Sequence, residues 1–294
     1  MKKVINIRFF GILFLIYLSS CASNEGKIGL NIHSASSEIN KPNLWILGIG
    51  INEYKNFPVQ IDNGGWFLNL NNPVNDTRKL VRALENHKGK TYNDVHSLYV
   101  FDNEATKNNI ISHSFQYLEQ AKPNDVIILY INAHGITMED GTYCFFPYDI
   151  AIVSEDTGAN RIDYSSSVNI HDIMGALNIP AKKILFLETC GSGGAVNIEN
   201  IFGIKNDDII IFAACGQDEE AVENNLYGSI FTDGFVQKIN NHNYKESPLT
   251  IETLFEYMYD YVIRINARSI FNDTQHPQLF VPEKYNNFII LNSE

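Results

Sequence analysis

Two kinds of pattern alternate along this chain. Runs that are apolar almost without interruption occur at residues 44–51, 96–100, 126–132, 184–188 and 209–214. Between and after them lie stretches in which apolar residues recur every three or four positions, at 75–86, 106–120, 169–177, 231–240 and 250–265. The first pattern predicts strands and the second predicts helices. The runs at 126–132, 184–188 and 209–214 are rich in β-branched and large apolar residues, and they read as parallel strands covered on both faces. Asn75, Thr106 and Asn169 are the expected helix N-caps. Strands alternating with helices predict an α/β fold, a mostly parallel sheet with helices on both faces in a three-layer sandwich. The polar stretches 152–168 and 191–207 read as surface loops.

The first 42 residues fall outside that alternation. Lys2, Lys3 and Arg8 flank an apolar run at 9–18 that is short for a membrane span. The run ends in Leu18-Ser19-Ser20-Cys21, which resembles the lipobox of bacterial lipoproteins, whose cysteine receives a lipid and becomes the new N-terminus. Residues 1–20 are therefore expected to be a lipoprotein signal peptide, Cys21 the lipidated residue, 21–42 a polar tether and 43–294 the folded domain. Ala22 after the cysteine is no retention signal of the Asp type. The anchor would then sit in the outer membrane of a two-membrane cell, holding the domain on the periplasmic face or the cell surface. An ordinary signal peptide or a single anchor helix, with Cys21 incidental, is the plainer alternative.

Composition narrows the classes. The chain has 294 residues, 45% apolar and 19% charged, which suits one large folded domain. Its formal net charge is −12 and would become −15 without residues 1–20, which carry three cations and no acid. Nucleic acid is disfavoured as a partner, because nothing would neutralise its phosphates. Cys21, Cys144, Cys190 and Cys215 are widely spaced, no Cys/His cluster has zinc spacing, and no acidic loop has the EF-hand pattern. No metal ligands and no required cofactor are expected.

The chemistry is sought where parallel strands end, since ligands of such sheets bind beyond their carboxyl ends. The run 126–132 is followed by Ala133-His134-Gly135, and the run 184–188 by Thr189-Cys190-Gly191-Ser192-Gly193-Gly194. If the two strands are neighbours, a histidine and a cysteine share one cleft. A thiol needs only a nearby base to become a strong nucleophile, and the imidazole can later return the proton to a leaving amine. The backbone N–H groups of Gly135 and Cys190 could face a developing oxyanion. Cys215 also follows a strand but has no His-Gly partner, and it reads as core packing, as does Cys144. Ser192 lacks the Gly-x-Ser-x-Gly elbow and reads as a hydrogen-bonding loop residue. The other histidines, among them His276, read as surface or satisfied residues.

These motifs resemble the caspase-like cysteine peptidases, and metacaspases with their bacterial relatives more than animal caspases. In that family one strand ends in His-Gly, matched by Tyr130-Ile131-Asn132-Ala133-His134-Gly135. The next ends in an acid, a small residue, Cys, any residue, Ser and Gly, matched by Glu188-Thr189-Cys190-Gly191-Ser192-Gly193. The histidine lies 56 positions before the cysteine, near the spacing of about 50 quoted for caspases. Segments 44–54, 70–84 and 141–149 agree with the family's first strand, first helix and post-histidine stretch. The resemblance covers residues 43 to 282. Three positions depart from it: Asn132-Ala133 replaces the usual Ser-Gly, Glu188 the usual Asp, and Gly191 the usual His or Arg.

The resemblance implies a caspase-like sandwich and a cysteine endopeptidase with Cys190 as nucleophile and His134 as base. It also implies an S1 pocket in which Asp76 and Glu188 select Arg or Lys at P1, acting on a peptide or protein substrate. Paired carboxylates would favour a cationic side chain and repel Asp. Asp76 could equally be a first-turn acid favouring the helix dipole, and Glu188 a buried carboxylate satisfied by loop N–H groups. The family leaves calcium activation open, and auto-cleavage at Arg161 or Lys205. A catalytically silent caspase-fold protein used for binding or scaffolding is the alternative, and a hydrolase or transpeptidase using the same dyad is a third reading.

Overall fold

The five apolar runs are strands, and side-chain alternation explains why they end up in the middle of the molecule. The computed structural model describes residues 41–293 except 63, 155, 157, 198–208, 225–227 and 268–273. The expected signal peptide, Cys21, all but the last two tether residues, and Lys205 lie outside the described residues. The strands are β1 (Leu44–Gly50), β2 (Val95–Phe101), β3 (Val126–Asn132), β4 (Lys182–Glu188) and β5 (Ile209–Ala213). A sixth, β6 (Gln278–Phe280), completes the order β2-β1-β3-β4-β5-β6. Every pair is parallel except β5 with β6.

Successive side chains on a strand point to opposite faces. Ile127, Leu129 and Ile131 of β3 therefore enter one apolar layer with Ile110 and Leu118 of helix α2 (Lys107–Leu118). Ile128 and Tyr130 enter the other, with Leu80 and Leu84 of α1 (Pro73–Glu85), Phe231 and Phe235 of α3 (Ile230–Asn241), and Leu254 and Met258 of α4 (Ile251–Asn266). Each fully buried aliphatic or aromatic side chain contributes roughly 1.5–3 kcal/mol. The three-layer α/β architecture is the one expected. Among the described residues, no helix is long and apolar enough to cross a membrane.

Local signals place most element starts. Thr106 caps α2 by accepting from Asn109 N–H at 3.3 Å, and Asn169 forms a capping box with Asp172 on the short helix Ile170–Met174. Asn75 is not an N-cap. The first helix starts earlier, with Asn72 as cap and Pro73 in its first turn, where the missing proline N–H costs nothing. The stretch 152–168 is not one loop but holds a hairpin of Ala151–Ser154 with Asn160–Asp163. The stretch after Cys190 is a 3-10 turn at Ser192–Asn197 as far as it is described, buried over 192–195.

Register prepares the site. The last rung of the β3–β4 pair joins Asn132 to Glu188. His134 and Cys190, each two residues further on, thus leave the sheet side by side.

Candidate active site

His134 enters from the face of the sheet that carries α2. Its ring lies 5.2 Å from that of Tyr54, 5.7 Å from Phe57, 5.8 Å from Phe67 and 6.2 Å from Phe146. Its backbone N–H donates to Tyr54 Oη at 2.8 Å. Nε2 sits 2.7 Å from the Leu68 carbonyl oxygen. A carbonyl can only accept, so Nε2 carries a proton and Nδ1 holds the lone pair. Burial in this aromatic surround lowers the imidazole's pKa, and the Leu68 carbonyl partly offsets that. The ring is accordingly a neutral base at pH 7.

Cys190 stands on the turn after β4, gripped by the hairpin Gly135–Thr137/Tyr143–Phe145 that follows His134. A Cβ at Gly135 would lie 2.7 Å from Thr189 Oγ1 and 3.0 Å from the Cys190 carbonyl, so only glycine lets the two segments approach. Thr137 donates to the Gly191 carbonyl at 2.6 Å, and Tyr143 Oη and Thr189 Oγ1 are 2.6 Å apart. Gly191 has φ +64°, which aims the chain sharply away after the thiol. Phe146 N–H bonds the His134 carbonyl at 2.9 Å, and Met138 N–H bonds Thr142 at 2.8 Å. That pattern puts Gly135 opposite Phe145 at a non-hydrogen-bonded rung, so the ladder leaves its N–H unused.

Burial raises the Cys190 pKa. The Ala221 N–H and the residue's own N–H oppose this, while the charges of Glu220 and Glu188 add to it. The resting pair is therefore a thiol and a neutral imidazole. No hydrogen bond joins them among the described contacts; they share one cavity of ≈ 410 Å³. Looser geometry before substrate arrives is usual for such pairs.

The acids lie toward α1 and α3. Glu188 is buried and lines the cavity; its Oε2 accepts from Thr232 N–H at 3.0 Å and Thr232 Oγ1 at 2.9 Å. Its Oε1 is buried without a hydrogen-bond partner among the described residues. Asp76 stands one step back from the cavity. Its carboxylate accepts from Ser229 N–H at 2.7 Å and pairs with Lys79 at 3.1 Å. Ser229 and Glu223 line the wall in front, and Glu220 lines the rim. Burial raises the carboxyl pKa of Glu188 well above its ordinary value, and the charges of Asp76 and Glu223 add to the effect. Burial likewise raises Asp76 and Glu223.

Several of these residues carry no motif in the sequence. Glu223, Glu220 and Ala221 lie on a loop that Glu219 ties down. Glu219 accepts from Gly216 N–H and His276 N–H, both at 2.8 Å, and its Oε1 lies 2.6 Å from His276 Nδ1. The Glu219 carbonyl accepts from Gly191 N–H at 2.9 Å. Gln275 accepts from Val222 N–H at 3.2 Å and donates to the Ala214 carbonyl at 2.9 Å. Cys215 is fully buried, contacts Ser192, and burial pushes its thiol up to about 12. Among the described residues, no group of three or more His, Cys, Asp or Glu is placed to hold a metal.

A family model of the caspase domain matches residues 45–286. Metacaspase-1 of Debaryomyces hansenii is 23% identical over 190 residues, covering 57% of this chain and 41% of that relative, so the match spans about two fifths of the relative's length. Among solved structures, a protein of Geobacter sulfurreducens superposes with a TM-score of 0.56 at 14% identity, over 86% of this chain and 99% of that one. Caspase-1 of Spodoptera frugiperda superposes with a TM-score of 0.52 at 11% identity, over 83% and 87%. The sandwich is therefore caspase-like, with a mostly parallel central sheet flanked by helices.

Proposed function

The chain belongs to the caspase-domain family, and on that footing we propose that it is a cysteine endopeptidase cleaving after Arg or Lys. The observation that carries the reading is one cavity holding Cys190, His134, the unused Gly135 N–H and a buried, half-satisfied Glu188. In the reaction, His134 Nδ1 takes the Cys190 thiol proton as the sulfur attacks the scissile carbonyl carbon. The carbonyl oxygen becomes an oxyanion facing the N–H groups of Gly135 and Cys190. The C–N bond breaks, and the amine leaves with the proton from His134. Water, deprotonated by the same ring, then hydrolyses the thioester and frees the thiol. Leu68 holds the ring's other proton throughout, which fixes the tautomer.

The P1 cation would meet Glu188 and Glu223 at the cavity wall, with Asp76 adding charge from behind. Glu188 Oε1 has no partner among the described residues, and a guanidinium or ammonium would supply one. The chemistry as written needs no metal. Fluorogenic peptides with P1 Arg, Lys, Asp or Leu test the reading on residues 22–294, beside Cys190→Ala, with and without calcium. Arg or Lys turnover that vanishes in the variant supports it. A preference for Asp refutes the acidic pocket, and no turnover under any condition leaves a binding or scaffolding protein. The lipid anchor is tested apart from this: Cys21→Ala in the full chain should release the protein from the membrane fraction, and unchanged fractionation would refute lipidation.

A further inference from the structure

The cavity is lined differently on its two sides. Glu188, Glu223 and Ser229 line it toward α1 and α3, while His134 and Phe67 line it toward α2. Phe67 belongs to a small hairpin that pairs Val59 with Phe67 and Gln60 with Trp66. Alternation along that hairpin turns Phe67 inward, edge-on to the His134 ring, and leaves its neighbours outward. Trp66 is 58% exposed and Leu68 55% exposed, yet Trp66 lines the catalytic cavity and the Leu68 carbonyl holds His134. An apolar side chain left open to water on the wall of a catalytic cavity is available to pack against a substrate group.

We infer that Trp66 forms the S1′ wall, and that the enzyme prefers a large apolar or aromatic residue immediately after the scissile bond. The inference rests on the Cys190–His134 reading above. The leaving amine takes its proton from His134, so the P1′ residue that carries this amine lies against whatever flanks the imidazole. In an extended substrate, successive side chains point to opposite sides. With P1 directed into the acidic side, P1′ is directed to the aromatic side, where Trp66 stands. The preferred cleavage sequence is thus a cation followed by Phe, Tyr, Trp or Leu.

The test uses quenched fluorescent peptides with Arg at P1 that differ only at P1′, as Gly, Ala, Leu, Phe or Asp. Wild type and Trp66→Ala of residues 22–294 are assayed together. Trp66 is mostly exposed, so the variant should fold, and an unchanged thermal melt checks this. Wild type should favour Phe and Leu over Gly in kcat/KM by on the order of tenfold. In Trp66→Ala that ratio should collapse toward one. A flat P1′ profile in wild type overturns the S1′ assignment alone. So does a preference that survives in Trp66→Ala. Failure to cleave any of the peptides overturns the peptidase reading and this inference with it.

Discussion

The acidic and the aromatic sides of the cavity are built from opposite chemistry, yet burial acts on them in the same way. Toward α1 and α3, burial raises the carboxyl pKa of Glu188, Asp76 and Glu223, so the protonated form is favoured. Toward α2, burial lowers the His134 pKa, so the neutral imidazole is favoured. Between them burial raises the Cys190 thiol. Each ionisable group is thus pressed toward its uncharged form while the site is empty. A P1 cation would add to Lys79 in favouring the ionised carboxylates, and the thiolate and oxyanion formed during the reaction would favour the imidazolium. The site is therefore quiet when empty and completed by what it cuts.

The largest effects should come from breaking the Cys190–His134 pair, where the two sides meet. Cys190→Ala should lower kcat on an Arg substrate by about 10⁴-fold or more. His134→Ala should cost about 10²–10⁴-fold, the usual share of general acid–base catalysis. Single-turnover assays on the preferred peptide measure both. A His134→Ala variant with near wild-type turnover would remove the ring from the mechanism.

Breaking the acidic side should give a smaller loss with a distinctive signature. Glu188→Gln should cut kcat/KM for P1 Arg by about 10²-fold, since it removes a buried charge partner. The same variant should be more stable than wild type at neutral pH by on the order of 1–3 kcal/mol, because the amide replaces a buried acid that the fold disfavours in its ionised form. The folded chain holds the Glu188 carboxyl above its ordinary value, so the fold favours the acid form. That stability is present at acid pH and is lost as pH rises through the raised value. The variant's advantage in thermal melts should therefore fade on acidification. By the same linkage, a P1 cation expels a proton on binding, so KM for Arg peptides should fall as pH rises from the ordinary carboxylate range. An advantage for Glu188→Gln that grows at low pH would reverse the assignment.

The two sides also differ in how much of them the sequence discloses. His134-Gly135 and Glu188-Thr189-Cys190 are contiguous motifs at the ends of two apolar runs. Strand register then brings them together without further information. The main strands and helices are legible for the same reason, since period two and period 3.6 are local. Residues whose roles come from tertiary contacts alone are not legible. Leu68 acts through a backbone carbonyl, which leaves no trace in residue type. Glu223 and Ala221 reach the cavity because His276 and Gln275, far along the chain, hold their loop. β6 is three residues long, too short for alternation to stand out. Asp76 has the right residue type and the right helix, but its position behind Ser229 depends on packing.

The loop fastening offers a way to perturb the acidic wall without touching its charges. Glu219→Gln keeps the size of the side chain but weakens its bonds to His276 and Gly216. Because the loop also anchors Gly191 and carries Ala221, small displacements should reach the thiol. A fall in kcat of about tenfold is expected with little change in overall stability. Turnover equal to wild type would make the fastening structural only.

The smallest effect should come at the rim, where one charge can be removed with little other change. Glu220 is exposed, yet its charge is the foremost charge raising the Cys190 pKa. Glu220→Gln should therefore lower the pH midpoint for alkylation of Cys190 by iodoacetamide and speed the reaction at pH 7. Cys144 and Cys215 are buried, so the single fast-reacting thiol of residues 22–294 is Cys190, and Cys190→Ala supplies the blank. The shift should shrink in high salt, because an exposed charge is screened. The corresponding shift from Glu188→Gln should resist salt, since that carboxyl is buried. Equal salt sensitivity for the two variants would mean that they do not act on the thiol from different depths, and the division of the cavity into a buried acidic wall and an exposed rim would fail.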